Sequence, residues 1–297
     1  MALIESVPNI SEGRRPDVIA ALEGAVRRPG VHVLDVSADV SHNRSVLTIA
    51  GEAAPLGEAI LALFEVALDA IDLRTHSGVH PRVGAVDVVP FVPLEGATMD
   101  QCVALARHTA AEVARRFNLP VYLYEDAAAQ PGRRRLEDIR RGQFEGLGAK
   151  MARPGWQPDF GPATPHPAAG ASVIGARMPL IAYNVNLATD RLEVARRIAA
   201  TIRESGGGLP CVKAMGVALA DRGIVQVSMN LTNYQITGMV QVFEVVSQRA
   251  ADEGVAVLDS ELIGLVPAAA LPADAGQVLR LQSLGTNQTI ETRLRGR

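Results

Sequence analysis

Apolar positions along this chain change period again and again, from two to about 3.6 and back. IESV at the start alternates as a strand, ended by Pro8 and Asn9. PDVIAALEGAVRR (16–28) then places Val18, Ala21, Leu22 and Val26 on one helical face, and Pro16 suits a first turn. VHVLDV (31–36) and SVLTIAG (45–51) read as strands around the polar turn SADVSHNR. PLGEAILALFEVALDAIDL (55–73) is a helix with Ile60, Leu63, Phe64, Ala67 and Leu68 inward, and AVDVVPFV (85–92) is a strand. The order is βαββαβ.

The last part of the chain repeats that order. LIAYNVNL (180–187) is a strand. DRLEVARRIAATIRESG (190–206) is a helix with Leu192, Ala195, Ile198, Ala199 and Ile202 on one face and Gly206 near its stop. CVKAMGVAL (211–219) and GIVQVSMNL (223–231) form a hairpin across Ala220–Arg222. A helix at 237–254 and a strand at 255–266 complete the unit. The repeat is one of topology, not of residues. It predicts an α+β protein of two ferredoxin-like halves, residues 1–177 and 178–297. Each half has an antiparallel sheet with its helices on the outer face.

Between the repeats lie a helix with a capping box at Thr98 and Gln101, a strand PVYLYE, and a basic run GRRRLEDIRRG (132–142). Glu137 and Asp138 interrupt that run, so it reads as a solvated helix with partner charges. RPGWQPDFGPATPHPAAG (153–170) carries five prolines and cannot be helix or central strand. It reads as a linker, yet Trp156, Asp159, Phe160 and His166 are residues a plain linker seldom needs.

A sheet with helices on one face turns its other face to water, to a second sheet or to a ligand. Alternation puts Val225, Val227, Met229 and Leu231 on one face and Gln226, Ser228, Asn230 and Thr232 on the other. Asn184 and Asn186 share a face in LIAYNVNL. These neutral amides and hydroxyls suit hydrogen bonding to a planar heterocycle or to carboxylates, and an exposed polar face is the plain alternative. If the two sheets face each other, the same residues line a cleft of the kind small molecules use.

Composition narrows the classes. A formal charge of -3 argues against a nucleic-acid footprint. The βαββαβ order is shared with an RNA-recognition module, but six Phe, four Tyr and one Trp leave no stacking platform. No apolar run approaches the ~20 residues of a membrane span, and MALIESVPNIS does not resemble a signal peptide. A soluble, cytoplasmic protein without membrane contact is expected. Cys102 and Cys211 read as reduced thiols.

The chemistry concentrates in loops. His32 and His108 fall in a strand and a helix, whereas His42, His76, His80 and His166 fall in loops rich in Gly, Pro, Asn or Arg. His76 and His80 are four apart, but no helix passes Gly78 and Pro81 without cost, and no cysteine pair has ligand spacing. No metal site is expected. His80 is the acid–base candidate. Pro81 biases it to extended backbone, Gly78 and Gly84 allow a ligand to approach, and its reference pKa of roughly 6.5 suits both giving and taking a proton. Arg44, Arg74, Arg82 and Lys213 are candidates for substrate carboxylates. Asp87 either orients the loop or caps a turn. Ser11 reads as a helix cap beside Asn9 and Glu12.

Taken together, VPNISEGRRPDVI, LDVSADVSHNRSV, IDLRTHSGVHPRVGAVDVVPFVPL, PVYLYE, DIRRGQFEGL, PDFGP with AGASVIGAR, LIAYNVNL and QVSMNLTNY resemble the formiminotransferase family. The resemblance runs to about Val266, and the cyclodeaminase module fused to some members has no counterpart in this sequence. It implies transfer of the formimino group from N-formimino-L-glutamate to tetrahydrofolate, a co-substrate, in histidine breakdown. It also implies a folate tunnel between facing sheets, no metal and a homodimer. His80 matches the catalytic histidine of the family's H-P-R segment. Asp159, Phe160, Gly161 and Pro162, running on to His166, match its folate segment. Asn9, His42, Asn43, Arg44, Arg82, Asn184, Asn186, Gln226, Ser228 and Asn230 complete the expected substrate and folate contacts. Val79 stands where family members often carry an acidic residue. Two other readings share most of these residues. One is a folate one-carbon transferase with a formyl donor (N-formylglutamate or 5-formyltetrahydrofolate), and the other is a non-catalytic folate-binding protein.

Overall fold

Pro8 breaks the first strand in two, because it has no N–H to give a ladder. Two short pieces result, β1 (Ile4–Ser6) and β2 (Asn9–Ile10), and β4 (Arg44–Gly51) and β5 (Val86–Pro93) flank them both. This computed structural model describes residues 2–282, 285 and 287–296. The chain divides into two compact units, Met1–Arg177 and Met178–Arg297.

In the first unit β3 (Val31–Asp39) pairs with β4, so the strand order β3-β4-β1-β5 is built from the βαββαβ segment. α1 (Pro16–Val26), α2 (Ala53–Ala70) and α3 (Met99–Phe117) pack on one face of this sheet. Leu22, Ile60 and Phe64 meet Leu47, Ile49, Val89 and Phe91 there, all fully buried. Burial of this aliphatic layer, at about 25 cal/mol per Å2 of apolar area, is the main stabilising term. Thr98 and Gln101 form the expected capping box of α3. Pro16 opens α1, but Ser11 is no cap: its hydroxyl donates to the Gly84 carbonyl at 2.7 Å.

The sheet then extends beyond the repeat. β6 (Val121–Glu125) and β7 (Ser172–Ala176) add in parallel, with β7 inserted between β5 and β6. Residues 153–170 are therefore not a linker between the units. They return the chain to the first sheet, where Phe160 bridges Val121 and Asp159 accepts the Leu123 N–H at 2.8 Å. The basic run holds one short helix, and a second follows it. α4 (Leu136–Arg140) and α5 (Gln143–Met151) are separated by Gly142, at φ 92°. They pack on the second face of the sheet, where Ile139, Leu147 and Met151 cover Tyr122, Tyr124 and Val173. Helices on one face only, the expectation for this half, holds for α1 to α3 and fails over β6 and β7.

The second unit has strand order β11-β8-β10-β9, all antiparallel, from β8 (Ile181–Leu187), β9 (Val212–Leu219), β10 (Ile224–Leu231) and β11 (Val257–Ile263). α6 (Leu192–Ile202) and α7 (Met239–Asp252) share a core with Tyr183, Val185, Val225, Val227 and Leu231. The C-terminal segment, with α8 (Ala275–Val278) and α9 (Ile290–Arg295), lies along β11. Bridges join Ser260 to Leu281 and Val266 to Thr289, which covers an edge that would otherwise offer unpaired backbone groups. No described helix is long and apolar enough to cross a membrane.

Candidate active site

Loop 74–84 joins α2 to β5 and lies against the turn between β3 and β4. The close approach depends on Gly78. A Cβ there would meet the His42 carbonyl oxygen at 2.3 Å and the Asn43 Cβ at 3.0 Å. At Gly84 the corresponding neighbour is the Ala171 carbonyl, at 2.0 Å. Both glycines therefore admit the chain's own backbone, where the sequence suggested room for a ligand. Gly78→Ala is expected to cost about 1–3 kcal/mol, the usual range for overpacking, and to part the two loops. A lowered unfolding midpoint in urea, with weaker substrate affinity, checks it.

Asn43 ties the loops together. Its Oδ1 accepts the Gly13 N–H at 3.0 Å, its Nδ2 donates to the Ser77 carbonyl at 3.0 Å, and its own carbonyl accepts from His76 Nε2 at 3.0 Å. With Nε2 carrying the proton, His76 Nδ1 is free to accept from Arg82 Nε at 3.1 Å. Burial is the first cause that lowers the His76 pKa. Arg82, 7% exposed, also reaches Glu145 on α5, with Nη2 to Oε1 at 2.8 Å.

His80 sits at the centre of this cluster. Arg44 Nη1 lies 2.6 Å from His80 Nε2, and the His42 ring meets the His80 ring edge-on at 5.9 Å. His42 in turn holds Asp39, with Nδ1 to Oδ2 at 3.0 Å. Burial, then the charges of Arg44 and Arg140, pulls the His80 pKa down to about 4, so the imidazole is neutral at pH 7. Below the loop, Asp87 is 2% exposed. Its Oδ1 accepts the Val83 N–H at 2.7 Å and its Oδ2 accepts from both Nε and Nη2 of Arg140. Asp87 thus caps the loop's turn and pairs with a buried cation at once.

The structure gathers His42, Asn43, Arg44, His76, His80, Arg82 and Asp87 around one small cavity, with Ile10 and Ser11 completing its wall. Arg140 and Glu145 lie behind its wall, paired with Asp87 and Arg82. Arg140 comes from the run that read as a solvated helix, and Glu145 from the segment just after it. Arg74 does not join, because it pairs with Asp72 two residues away and is exposed. Asn9 donates to the Val7 carbonyl in the β1–β2 break. Asp159 serves Arg133 at 2.6 Å as well as Leu123, inside a buried pair. His166 accepts the Ala169 N–H at 3.0 Å in a turn closed on Gly170. These contacts of Asp159 and His166 stabilise the 153–170 segment, with Phe160, Gly161 and Pro162 between them.

In the second unit the polar face is a connected network. Asn184, Asn186 and Gln226 are each under a tenth exposed. Gln226 Nε2 donates to Asn186 Oδ1 at 2.9 Å and to Glu261 Oε1 at 2.7 Å. Asn186 donates to Asp259 at 2.6 Å, and Asn184 to Glu261 at 3.2 Å. Asp259 is held from the far side by Gln282 at 2.7 Å. Ser228 lies beside Asn184 on this face, and Asn230 is exposed at its end. Strict alternation would set Asp259 and Glu261 on the face of Val257, toward the core. A register shift between Val257 and Asp259 moves them onto the face of the amides and turns Ser260 and Leu262 inward. No group of three or more His, Cys, Asp or Glu side chains that could hold a metal occurs among the described residues.

Residues 3–177 match the family described as "Formiminotransferase domain, N-terminal subdomain", and residues 182–290 match "Formiminotransferase domain". The chain is 44% identical over 296 residues to a "Glutamate formimidoyltransferase" of Streptococcus pyogenes serotype M1, covering 99% of both chains. It is 43% identical over 297 residues to a protein of the same name from Thermoplasma acidophilum, covering 99% of this chain and 98% of that one. A "Formimidoyltransferase-cyclodeaminase" of Rattus norvegicus is 42% identical over 276 residues, 91% of this chain and 51% of the rat protein.

Proposed function

This chain belongs to the formiminotransferase family, and from that premise we propose that it moves the formimino group of N-formimino-L-glutamate to tetrahydrofolate, releasing L-glutamate. The similarity over nearly its whole length to glutamate formimidoyltransferases carries the reading. The cluster around His80 supports it chemically. N5 of the reduced folate attacks the amidine carbon, and a C–N5 bond forms. The tetrahedral carbon then collapses, the bond to the glutamate nitrogen breaks, and the proton lost by N5 is gained by that nitrogen. One neutral imidazole can accept and return this proton, and His80 is the neutral, half-buried imidazole at the cluster's centre. Holding two substrates in register supplies much of the rate.

The strand orders of both units support ferredoxin-like halves, residues 1–177 and 178–297, with the amide face of the second sheet as part of the folate site. On this reading Asn184, Asn186, Gln226 and Ser228 contact folate, no metal takes part, and the enzyme works as a cytoplasmic homodimer.

A formyl donor is the second reading, and one observation favours it. Val79, next to His80, and Val40, next to Asp39, are 76% and 65% exposed, so the position just before His80 offers a cationic amidine an apolar side chain and no charge. The two donors separate in one assay. Formiminoglutamate should exceed N-formylglutamate in kcat/KM with tetrahydrofolate by about 10-fold or more. Product from the formyl donor alone would replace the first reading with the second.

A further inference from the structure

Around His80 stand three guanidinium groups, and the carboxylates near them already have partners, Asp39 being held by His42. Arg82 holds Glu145, and Arg140 holds Asp87. Arg44 is the third. It makes no salt bridge among the described residues, and its buried Nε has no hydrogen-bond partner there. Burial, then the charge of Arg140, lowers the Arg44 pKa to about 10, against the opposing pull of Asp87 and Asp39. A buried guanidinium is costly without an anion.

Arg44 also engages His80 in a way that matters for proton transfer. Arginine has only donors, so the 2.6 Å contact makes His80 Nε2 the acceptor and places the ring proton on Nδ1. The lone pair that would act as base is therefore held by Arg44. The other groups facing His80 do not offer an exchange. His42 is taken by Asp39, and Arg140 and Asp87 are taken by each other.

We propose that Arg44 binds the α-carboxylate of the donor, and that this carboxylate, by replacing the imidazole as acceptor, frees His80 Nε2 for the transfer. The inference rests on the proposed formimino transfer and assigns which end of the donor lies at Arg44. The departing nitrogen must lie within reach of His80. In formiminoglutamate the α-carboxylate carbon is two bonds from that nitrogen, and the side-chain carboxylate carbon is four. Only the nearer one fits a guanidinium that touches His80. A carboxylate is also the planar, bidentate partner that arginine suits. The donor thus supplies the counter-charge and releases the base in the same event.

The test pairs a donor variant with a protein variant. N-formimino-4-aminobutyrate keeps the side-chain carboxylate and lacks the α-carboxylate. The wild-type enzyme should use it with kcat/KM roughly 10- to 100-fold below formiminoglutamate, the range of a lost charged hydrogen bond. In Arg44→Gln that ratio should fall to near one, with the affinity for tetrahydrofolate unchanged. Arg44→Lys, which keeps the charge, should retain part of the ratio and serves if the glutamine variant does not fold. A full ratio in a folded Arg44→Gln, or in its absence no loss of ratio in Arg44→Lys, overturns the assignment. A wild-type enzyme that ignores the missing α-carboxylate overturns it too. Absence of any wild-type transfer from formiminoglutamate would instead refute the proposed function. Equilibrium binding of the same two compounds to wild type and variant then gives the comparison without turnover.

Discussion

Replacing His80 with alanine should lower turnover by roughly 10²- to 10⁴-fold, the contribution typical of a positioned acid–base group. Tetrahydrofolate binding should persist, because the loop's position does not depend on the imidazole. Gly78, Asn43 and Asp87 hold it through backbone contacts. The pH profile follows from the same surroundings. The His80 pKa is lowered to about 4, so the ring stays neutral as pH falls through 6.5 and gains its proton only near pH 4. In the free enzyme, kcat/KM should therefore lose no activity on His80's account until that region. An acid limb at pH 6.5 that vanishes in His80→Ala would show an imidazole in ordinary solvent, against the half-buried position beside Arg44 and Arg140.

Asp87→Ala should produce the largest loss of stability, about 3–5 kcal/mol, because it leaves the Arg140 guanidinium buried and unpaired. Arg140 is 13% exposed at its side chain, and Asp87 is 3% exposed at its own. The variant also removes the acceptor for the Val83 N–H. Urea unfolding of the first unit should show the loss as a lower midpoint. Replacing both partners by apolar residues, Asp87→Leu with Arg140→Met, should recover much of it, since no unpaired charge then remains. Activity should not recover, because nothing then caps the loop behind His80. A stable, active Asp87→Ala would show that the pair carries no weight.

Much of this architecture was legible in periodicity. The βαββαβ order of each unit follows from apolar spacing alone, because a half-buried strand and an amphipathic helix cannot share a period. What was hidden is non-local. Strand β7 follows five prolines that forbid helix and strand within 153–170 but say nothing about residue 172 onward. Its pairing with β5 bridges a separation of 85 residues, Val88 to Val173. Arg140 looked like a member of a solvated charge run and Glu145 carried no reading of its own, and only their partners Asp87 and Arg82, over 50 residues away, reveal them. Asp259 and Glu261 were concealed by a local irregularity, since one shifted residue reverses every following side chain. His80 itself was legible from Pro81 and its neighbours. Its bond to Arg44, 36 residues away, was not.

The most direct measurement follows a labelled amidine carbon. Formiminoglutamate carrying 13C at that carbon is mixed with tetrahydrofolate and protein in a single turnover, and the products are resolved by mass. In the wild type, label should appear on the folate in equal amount with free glutamate, and in His80→Ala it should be nearly absent over the same time. Label passing to water as formamide, or transfer by His80→Ala at the wild-type rate, would contradict it.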